Sequence, residues 1–203
     1  IHHSESRRPD PDYIAGHAMV IRASVFHASG GFPERFLPII EDVDFSHRLR
    51  RSGHRLLMVP GILVRHIFNF TFTRSLLNAF RKSRYWTVYS LRNRDVLADS
   101  GTASLGVKIN VLSFLAGAVI VVHAVAAGAG PMLGLLPLAF GTTFLANRDL
   151  AQAFLNAKGW PFAIRAMLYY LFVYPVVIAA GAASGIMLFL RSPRLHEMEG
   201  GEQ

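Results

Sequence analysis

The feature that most restricts this chain is the run from Ile109 to Ala127, 19 residues without Asp, Glu, Lys or Arg. Wound as an α-helix it reaches roughly 28 Å, close to the thickness of a bilayer's hydrocarbon. A second long uncharged run covers Ala166–Leu190, and Met132–Ala146 between them is apolar but short for a crossing. In a soluble fold each run would need a core around it, and a chain of 203 residues has too little left over to build three such cores. The runs predict a helical membrane region over 105–190, with spans at about 109–127, 131–146 and 166–190. Gly128–Pro131 supplies a turn and Pro175 a place to kink. Gly181, Ala182, Ala183, Ser184 and Gly185 form a small-residue strip suited to close helix contact.

The hydrophobicity is uneven. The chain is 52% hydrophobic with a mean hydropathy of +0.33, yet up to about Phe72 it mixes charged and apolar residues as a globular segment does. Its net charge of +8 suits either nucleic acid or an anionic membrane surface. Residues 74–94 decide between them. They hold Arg74, Arg81, Lys82, Arg84, Arg92 and Arg94 and no acid. Leu76, Leu77, Phe80, Val88 and Leu91 share one arc at helical spacing, and Tyr85, Trp86 and Tyr89 another. Placed just before the first long apolar run, this predicts a basic amphipathic helix, with its linker over 74–104, lying on anionic lipids, and no nucleic-acid partner. The positive-inside tendency puts the part that precedes it in the cytoplasm, at a plasma membrane such as the bacterial inner membrane. The chain has no cysteine, so disulfides and thiolate metal sites are excluded. It starts at Ile1 with polar residues and reads as a piece of a longer protein. Residues 191–203 read as a polar tail.

Within 1–73, IHHSESRRPDPD reads as a loop with His2 and His3 in solvent. Residues 13–22 (YIAGHAMVIR) suit a buried strand. Ser24 can cap a short helix over Val25–Ser29 that Gly30-Gly31 ends. Glu41–Ser52 predicts the clearest helix: Glu41, Asp42 and Asp44 occupy its first turn, Arg48, Arg50 and Arg51 its last, and Gly53 stands at the stop. His54–Val59 and Ile62–His66 read as two strands across a Pro60-Gly61 turn.

In order, GHAMVIRASVFHASGGFPERF (Gly16–Phe36), EDVDFSHRLRRSG (Glu41–Gly53) and the strand ending VRH (Val64–His66) resemble the C-terminal half of the catalytic domain of glycosyltransferase family 2, over about residues 14–66. The resemblance implies an α/β fold, half of a Rossmann-like GT-A domain on the acceptor side, followed by the transmembrane helices. It implies inverting transfer of a sugar from a nucleotide-sugar donor to a hydroxyl acceptor, which a membrane anchor suggests is polyprenyl-linked or another envelope glycan. Such chemistry needs a carboxylate to take the proton of the attacking hydroxyl, and a divalent cation to offset charge on the leaving diphosphate. By the resemblance, Asp42 is the base and His66 completes the coordination of Mn²⁺ or Mg²⁺. Glu41, Asp44 and Arg48 shape the pocket, and Gly30, Gly31 and Phe32 border the acceptor. Arg48 stands open between a diphosphate contact and a structural partner for Asp44, four residues back on the same face.

This sequence departs from the family pattern in two ways. Pro33 replaces the usual Asp after Gly-Gly-Phe, removing a side-chain acceptor and a backbone donor. No Asp-x-Asp of the donor half occurs, since Asp10-Pro11-Asp12 is wrongly placed, so the metal and the donor are expected only with a missing N-terminal half, and this chain alone is expected to be inactive. His17, His27, His47 and His54 match no motif and read as structural. A glycoside hydrolase is excluded: Glu41 and Asp42 are neighbours on one helix, about 100° apart, and cannot flank a substrate. A transporter is disfavoured, because His123 alone is ionisable within a candidate span. The alternative is a non-catalytic anchoring or partner-binding module with a degenerate site.

One outcome follows from the apolar runs directly. The chain is expected to stay in the membrane pellet through high-salt and alkaline carbonate washes and to need detergent for release, whereas a chain ending at Asn93 binds anionic vesicles and comes off with salt. Release of the whole chain by carbonate would force the runs back into a soluble core.

Overall fold

The structure, a computed structural model, describes residues 11–33, 39–59, 61–62, 64, 70–96 and 103–191. The chain divides into two compact units, Ile1–Thr73 and Arg74–Gln203.

The first unit is built on two helices, α1 (Ala23–Ala28) and α2 (Glu41–Arg51), with a 3₁₀ turn at Gly16–Ala18 before them. α2 has no side-chain cap at Ile40, so the three acids of its first turn are what complements its N-terminal dipole. Gly53, at φ 82°, ends it, and the His54 N–H turns back to the Leu49 carbonyl at 2.9 Å. Phe45, Leu49 and Leu56 form the core, with Ile14, Met19, Ile21, Val25 and Phe26 packed on it.

The α/β expectation is overturned: the described residues contain no strand and no sheet. The segment 13–22 is extended at Ala15 and Met19 but interrupted by the 3₁₀ turn between them. Two of its backbone donors go to side chains of α2. The Ile14 N–H donates to Ser46 Oγ at 3.0 Å, and the Gly16 N–H to Asp42 Oδ2 at 2.9 Å. Residues 54–59 carry no regular structure; Leu56 alone among them is buried, so the apolar pattern there marks an inward anchor rather than a pleat. Of the expected strand Ile62–His66, only Ile62 and Val64 are described, and neither belongs to a ladder. Apolar runs this short fit a strand and a packed loop equally well, and only a neighbouring strand would distinguish them.

The second unit is helical. It comprises α3 (Phe72–Asn93, from Arg74 onward), α4 (Leu105–Ala126), a 3₁₀ stretch (Gly130–Leu135), α5 (Leu136–Ala146), α6 (Arg148–Leu168), a π turn (Tyr169–Val173) and α7 (Tyr174–Arg191). Two stretches are long and apolar enough to cross a membrane, Leu105–Ala126 and Arg148–Arg191, and Gly130–Ala146 is a shorter apolar helix. α4 and α5 pack as an antiparallel hairpin. Gly106 meets Asn147 at the open end, Thr143 Oγ1 reaches the Ile109 carbonyl, and the Phe140 ring lies on Gly117, where an added Cβ would stand 3.4 Å from it. The outward side chains of this hairpin are apolar: Val125 is 77% and Leu138 71% exposed.

α6 is helical in two limbs, 148–157 and 160–168, broken at Lys158 (φ −148°, ψ 18°) and Gly159 (φ 74°, ψ −175°). The π turn then absorbs the approach to Pro175. The Tyr174 N–H bonds back to the Tyr169 carbonyl rather than to that of Tyr170, and Pro175 has no N–H to offer. The stranded Tyr170 carbonyl is met by Asn110 Nδ2 of α4 at 2.7 Å, in a buried site. Tyr170 Oη in turn donates to Asn147 Oδ1 at 2.8 Å, and Asn147 Nδ2 donates to the carbonyls of Gly106 and Thr143.

α3 lies against α7 at a glycine seam. Ser83 Oγ donates to the Ile178 carbonyl at 2.8 Å. A Cβ at Gly181 would stand 2.6 Å from the Phe80 carbonyl, and one at Gly185 would collide with the Arg84 carbonyl and come within 2.9 Å of Thr87 Cβ. Gly185→Ala should therefore destabilise the chain in detergent by about 1–3 kcal/mol, the usual cost of overpacking, although Ala is the better helix former by about 1 kcal/mol. Gly134→Ala, where a Cβ meets nothing within 4 Å, should cost nothing. Equal stabilities in a denaturant titration would mean that the two helices do not pack at this seam.

Candidate functional site

α2 organises the first unit's polar chemistry. Asp42, in its first turn, is partly exposed and has both carboxylate oxygens oriented: Oδ2 accepts from the Gly16 N–H and Oδ1 from the Val43 N–H, each at 2.9 Å. Both bonds have carboxylate oxygens as acceptors, and each oxygen keeps a further lone pair. A carboxylate held in this way can accept a proton from a hydroxyl brought to its open side.

Two turns further along, Arg48 is committed to the fold. Its Nε donates to Asp44 Oδ2 at 2.9 Å, and its two terminal nitrogens donate to the carbonyls of Ser29 and Gly31. Asp44 is 9% exposed, so its charge is balanced inside the unit by this pair. In this arrangement Arg48 pairs with Asp44 and clamps the Gly-Gly loop. That loop needs its glycines. Gly30 (φ 76°) and Gly31 (φ 65°) are both left-handed, a pair of conformations that L side chains rarely adopt. Behind the loop the rings of Phe26, Phe32 and Phe45 meet at centroid distances of 4.9–5.7 Å, and the Arg48 guanidinium sits over Phe45 at 5.4 Å. Phe26, His27, Gly30, Gly31 and Phe32 line an open hollow of about 450 Å³. A ring face, an imidazole and exposed loop backbone are the groups on which a sugar can lie. His27, set aside as structural from the sequence, lines this hollow; no motif signals it, and only its place one turn before Gly30-Gly31 could have.

The other expected site residues are less connected. Glu41 Oε2 is screened from solvent and has no hydrogen-bond partner in the structure. Pro33 is half-buried after the loop. His66 lies outside the described residues, so the metal role expected of it has no geometry here. Among the described residues no three His, Asp or Glu side chains gather round a common point. Asp44 is neutralised by Arg48, and Asp42 is bonded to backbone. These acids do not make a divalent-ion site by themselves. On the other side of α2, Asp12 accepts from Arg50 at 3.0 Å and pairs with His47 at 3.1 Å, tying the start of the unit to the helix. Pro11, Arg50, Gly53, His54, Arg55 and Leu56 line a second, smaller hollow of about 290 Å³.

Comparison with known proteins bears on this arrangement. Two curated relatives, the N-acetylglucosaminyl-diphospho-decaprenol L-rhamnosyltransferases of Mycobacterium tuberculosis (strain CDC 1551 / Oshkosh and strain ATCC 25618 / H37Rv), are each 38% identical to this chain over 61 residues. That alignment covers 30% of this chain and 20% of each relative, so the chain spans about a fifth of their length. No solved structure matches the chain. The family described as glycosyl transferase family group 2 matches residues 2–190, nearly the whole sequence, and the chain belongs to that family.

Proposed function

We propose that this chain is the acceptor-side and membrane part of an inverting glycosyltransferase that moves a sugar from a nucleotide-sugar donor to a hydroxyl of a polyprenyl-linked sugar. The observation that carries the reading is the Asp42 carboxylate, fixed by the Gly16 amide on the helix whose Arg48 clamps the Gly-Gly loop. In the reaction the acceptor hydroxyl attacks the anomeric carbon, its oxygen forms the new glycosidic bond, and the bond to the nucleoside diphosphate breaks with inversion. Asp42 takes the hydroxyl proton as that bond forms. The loop over Phe26 and Phe32 holds the acceptor sugar, and Arg48 keeps the loop in shape without touching the substrate. Support for a lipid-linked acceptor is twofold: the decaprenol-linked substrate in the relatives' name, and the two apolar helices of spanning length. The basic face of α3 favours placing the transferase unit on the cytoplasmic leaflet. The nucleoside diphosphate leaves with charge that Mn²⁺ or Mg²⁺ can offset; His66 is the residue of this chain proposed to complete that ion's coordination, with the other ligands coming from a donor-binding part.

Two measurements on the full-length enzyme test the reading. Asp42→Asn, which keeps the shape of the side chain, should lower turnover by roughly 10²–10⁴-fold while nucleotide-sugar affinity is unchanged; near-normal turnover would remove Asp42 as base and favour a non-catalytic anchoring module. Arg48→Met should raise the KM for the acceptor by about tenfold or more, with a smaller change in kcat, because it frees the Ser29 and Gly31 carbonyls and loosens the loop. A pure kcat effect would instead mean that Arg48 meets the reacting groups.

A further inference from the structure

We propose that residues 148–168 form a hairpin that does not cross the membrane but lies in its headgroup layer, on the face from which α4 enters, against anionic lipid. The proposal rests on the membrane reading of the second unit. Arg148–Arg191 is a helical stretch of 44 residues that contains a window apolar enough to cross a membrane. Straight, it would be roughly 66 Å long, about twice the hydrocarbon thickness. It is not straight. At Lys158–Gly159 the backbone leaves helical geometry, and Gly159 takes a left-handed φ of 74°. Across that break the rings of Phe154 and Phe162 meet edge to face at 5.9 Å. Residues eight apart on an unbroken helix are separated by about 12 Å along the axis, so the two limbs fold back on one another.

The ends of the excursion are fastened together. Asn147, just before it, accepts from Tyr170 Oη, just after it, and the same Asn147 donates to the Gly106 carbonyl in the first turn of α4. The hairpin therefore leaves from and returns to the end of the bundle where α4 begins, and the apolar crossing resumes only at the π turn.

The tip decides which way the hairpin points. It carries Lys158, whose ammonium sits over the Phe162 ring at 5.7 Å, and beside it Trp160, 69% exposed. A hairpin dipping into the hydrocarbon would carry that ammonium deepest of all, at a cost of several kcal/mol. One standing in water would leave Trp160, Phe162, Ile164 and Leu168 uncovered, all of them exposed in the fold. Trp beside Lys is the pairing that suits the headgroup level. Arg148, Lys158 and Arg165 against the single acid Asp149 select an anionic lipid surface.

The chain lacks cysteine, so sidedness can be read from single-cysteine variants of the whole chain in liposomes, labelled with a membrane-impermeant maleimide before and after detergent. The labelled fraction of Lys158→Cys should equal that of Ala103→Cys and complement that of Ala127→Cys at the turn after α4. If it follows Ala127→Cys instead, 148–168 crosses the membrane and the proposal falls. In a Trp86→Phe background, Trp160 emission should be quenched more by lipids brominated near the carbonyl end of the chains than by those brominated near the chain terminus, and more on anionic than on zwitterionic vesicles. Quenching only by aqueous acrylamide, strongest quenching by deep bromines, or no dependence on lipid charge would each overturn it. Loss of the chain from liposomes in carbonate would mark a different failure, that of the membrane reading itself.

Discussion

The carbonyl of Tyr170 cannot be satisfied within its own helix. The π turn shifts the Tyr174 N–H to Tyr169, and the next candidate donor is the ring nitrogen of Pro175. In water such a group would be solvated at little cost. Among apolar helices an unpaired carbonyl costs several kcal/mol, and its donor has to come from a neighbouring element. Asn110 supplies it, which fixes the height and rotation of α4 against the final helix. From there the chain of bonds passes through Tyr170 Oη to Asn147 and on to the start of α4 and the end of α5. One proline thus ties α4, α5 and the π turn at one level, and the outward faces of α4 and α5 are left mostly apolar, with His123 and Thr142 exposed among them.

The same accounting explains the first unit. Two consecutive left-handed glycines turn the backbone so tightly that the carbonyls of Ser29 and Gly31 point together, and no strand or helix is placed to serve them. Arg48 does so with a planar fork of donors, while its Nε holds the Asp44 charge that would otherwise be buried unpaired. Gly16 and Asp42 are a smaller instance, the first amide of a 3₁₀ turn that finds a carboxylate. The loop, the carboxylate and the aromatic hollow are therefore held by a single helix of 11 residues, and its spacing sets theirs.

Much of this was legible in the sequence where the signal is local. The dipole-matched charges of Glu41–Ser52 give a helix observed at Glu41–Arg51. The small residues 181–185 mark a seam that α3 fills. The expected sheet failed because YIAGHAMVIR and HRLLMV were read by their apolar content, which records burial and not pairing. Whether an extended segment joins a ladder depends on a partner far away in the chain, and here Ser46 and Asp42 took the amides first. Within the candidate site, Asp42, Arg48 and the Gly-Gly loop were singled out through the family resemblance, and the structure brings Asp42 to Gly16 and Arg48 to the loop. His27 was not singled out, since its place one turn before Gly30-Gly31 is the one feature that sets it apart and no motif marks it. The polar residues 110, 147 and 170 gave no signal for a related reason: no local pattern links them, and their value lies in meeting one another across 60 residues and fewer.

The two units solve one problem with different side chains, and the difference follows from their surroundings. Both place an irregular stretch of backbone where a side chain from a helix must replace the missing N–H groups. In the first unit the donor is Arg48, cationic and 32% exposed along its side chain, with Asp44 to balance it. In the second it is Asn110, neutral and 1% exposed. A guanidinium at Asn110's position would meet no acid among the residues bonded there and would carry an uncompensated charge into apolar helix contacts, a far larger penalty than the carbonyl it was meant to relieve. An amide gives up one donor and brings no net charge. The choice of Asn, Tyr and Thr inside one unit and of Arg and Asp inside the other is thus set by how far each environment can screen a charge, and it separates a unit held by ion pairs from a bundle whose exposed side chains are mostly apolar.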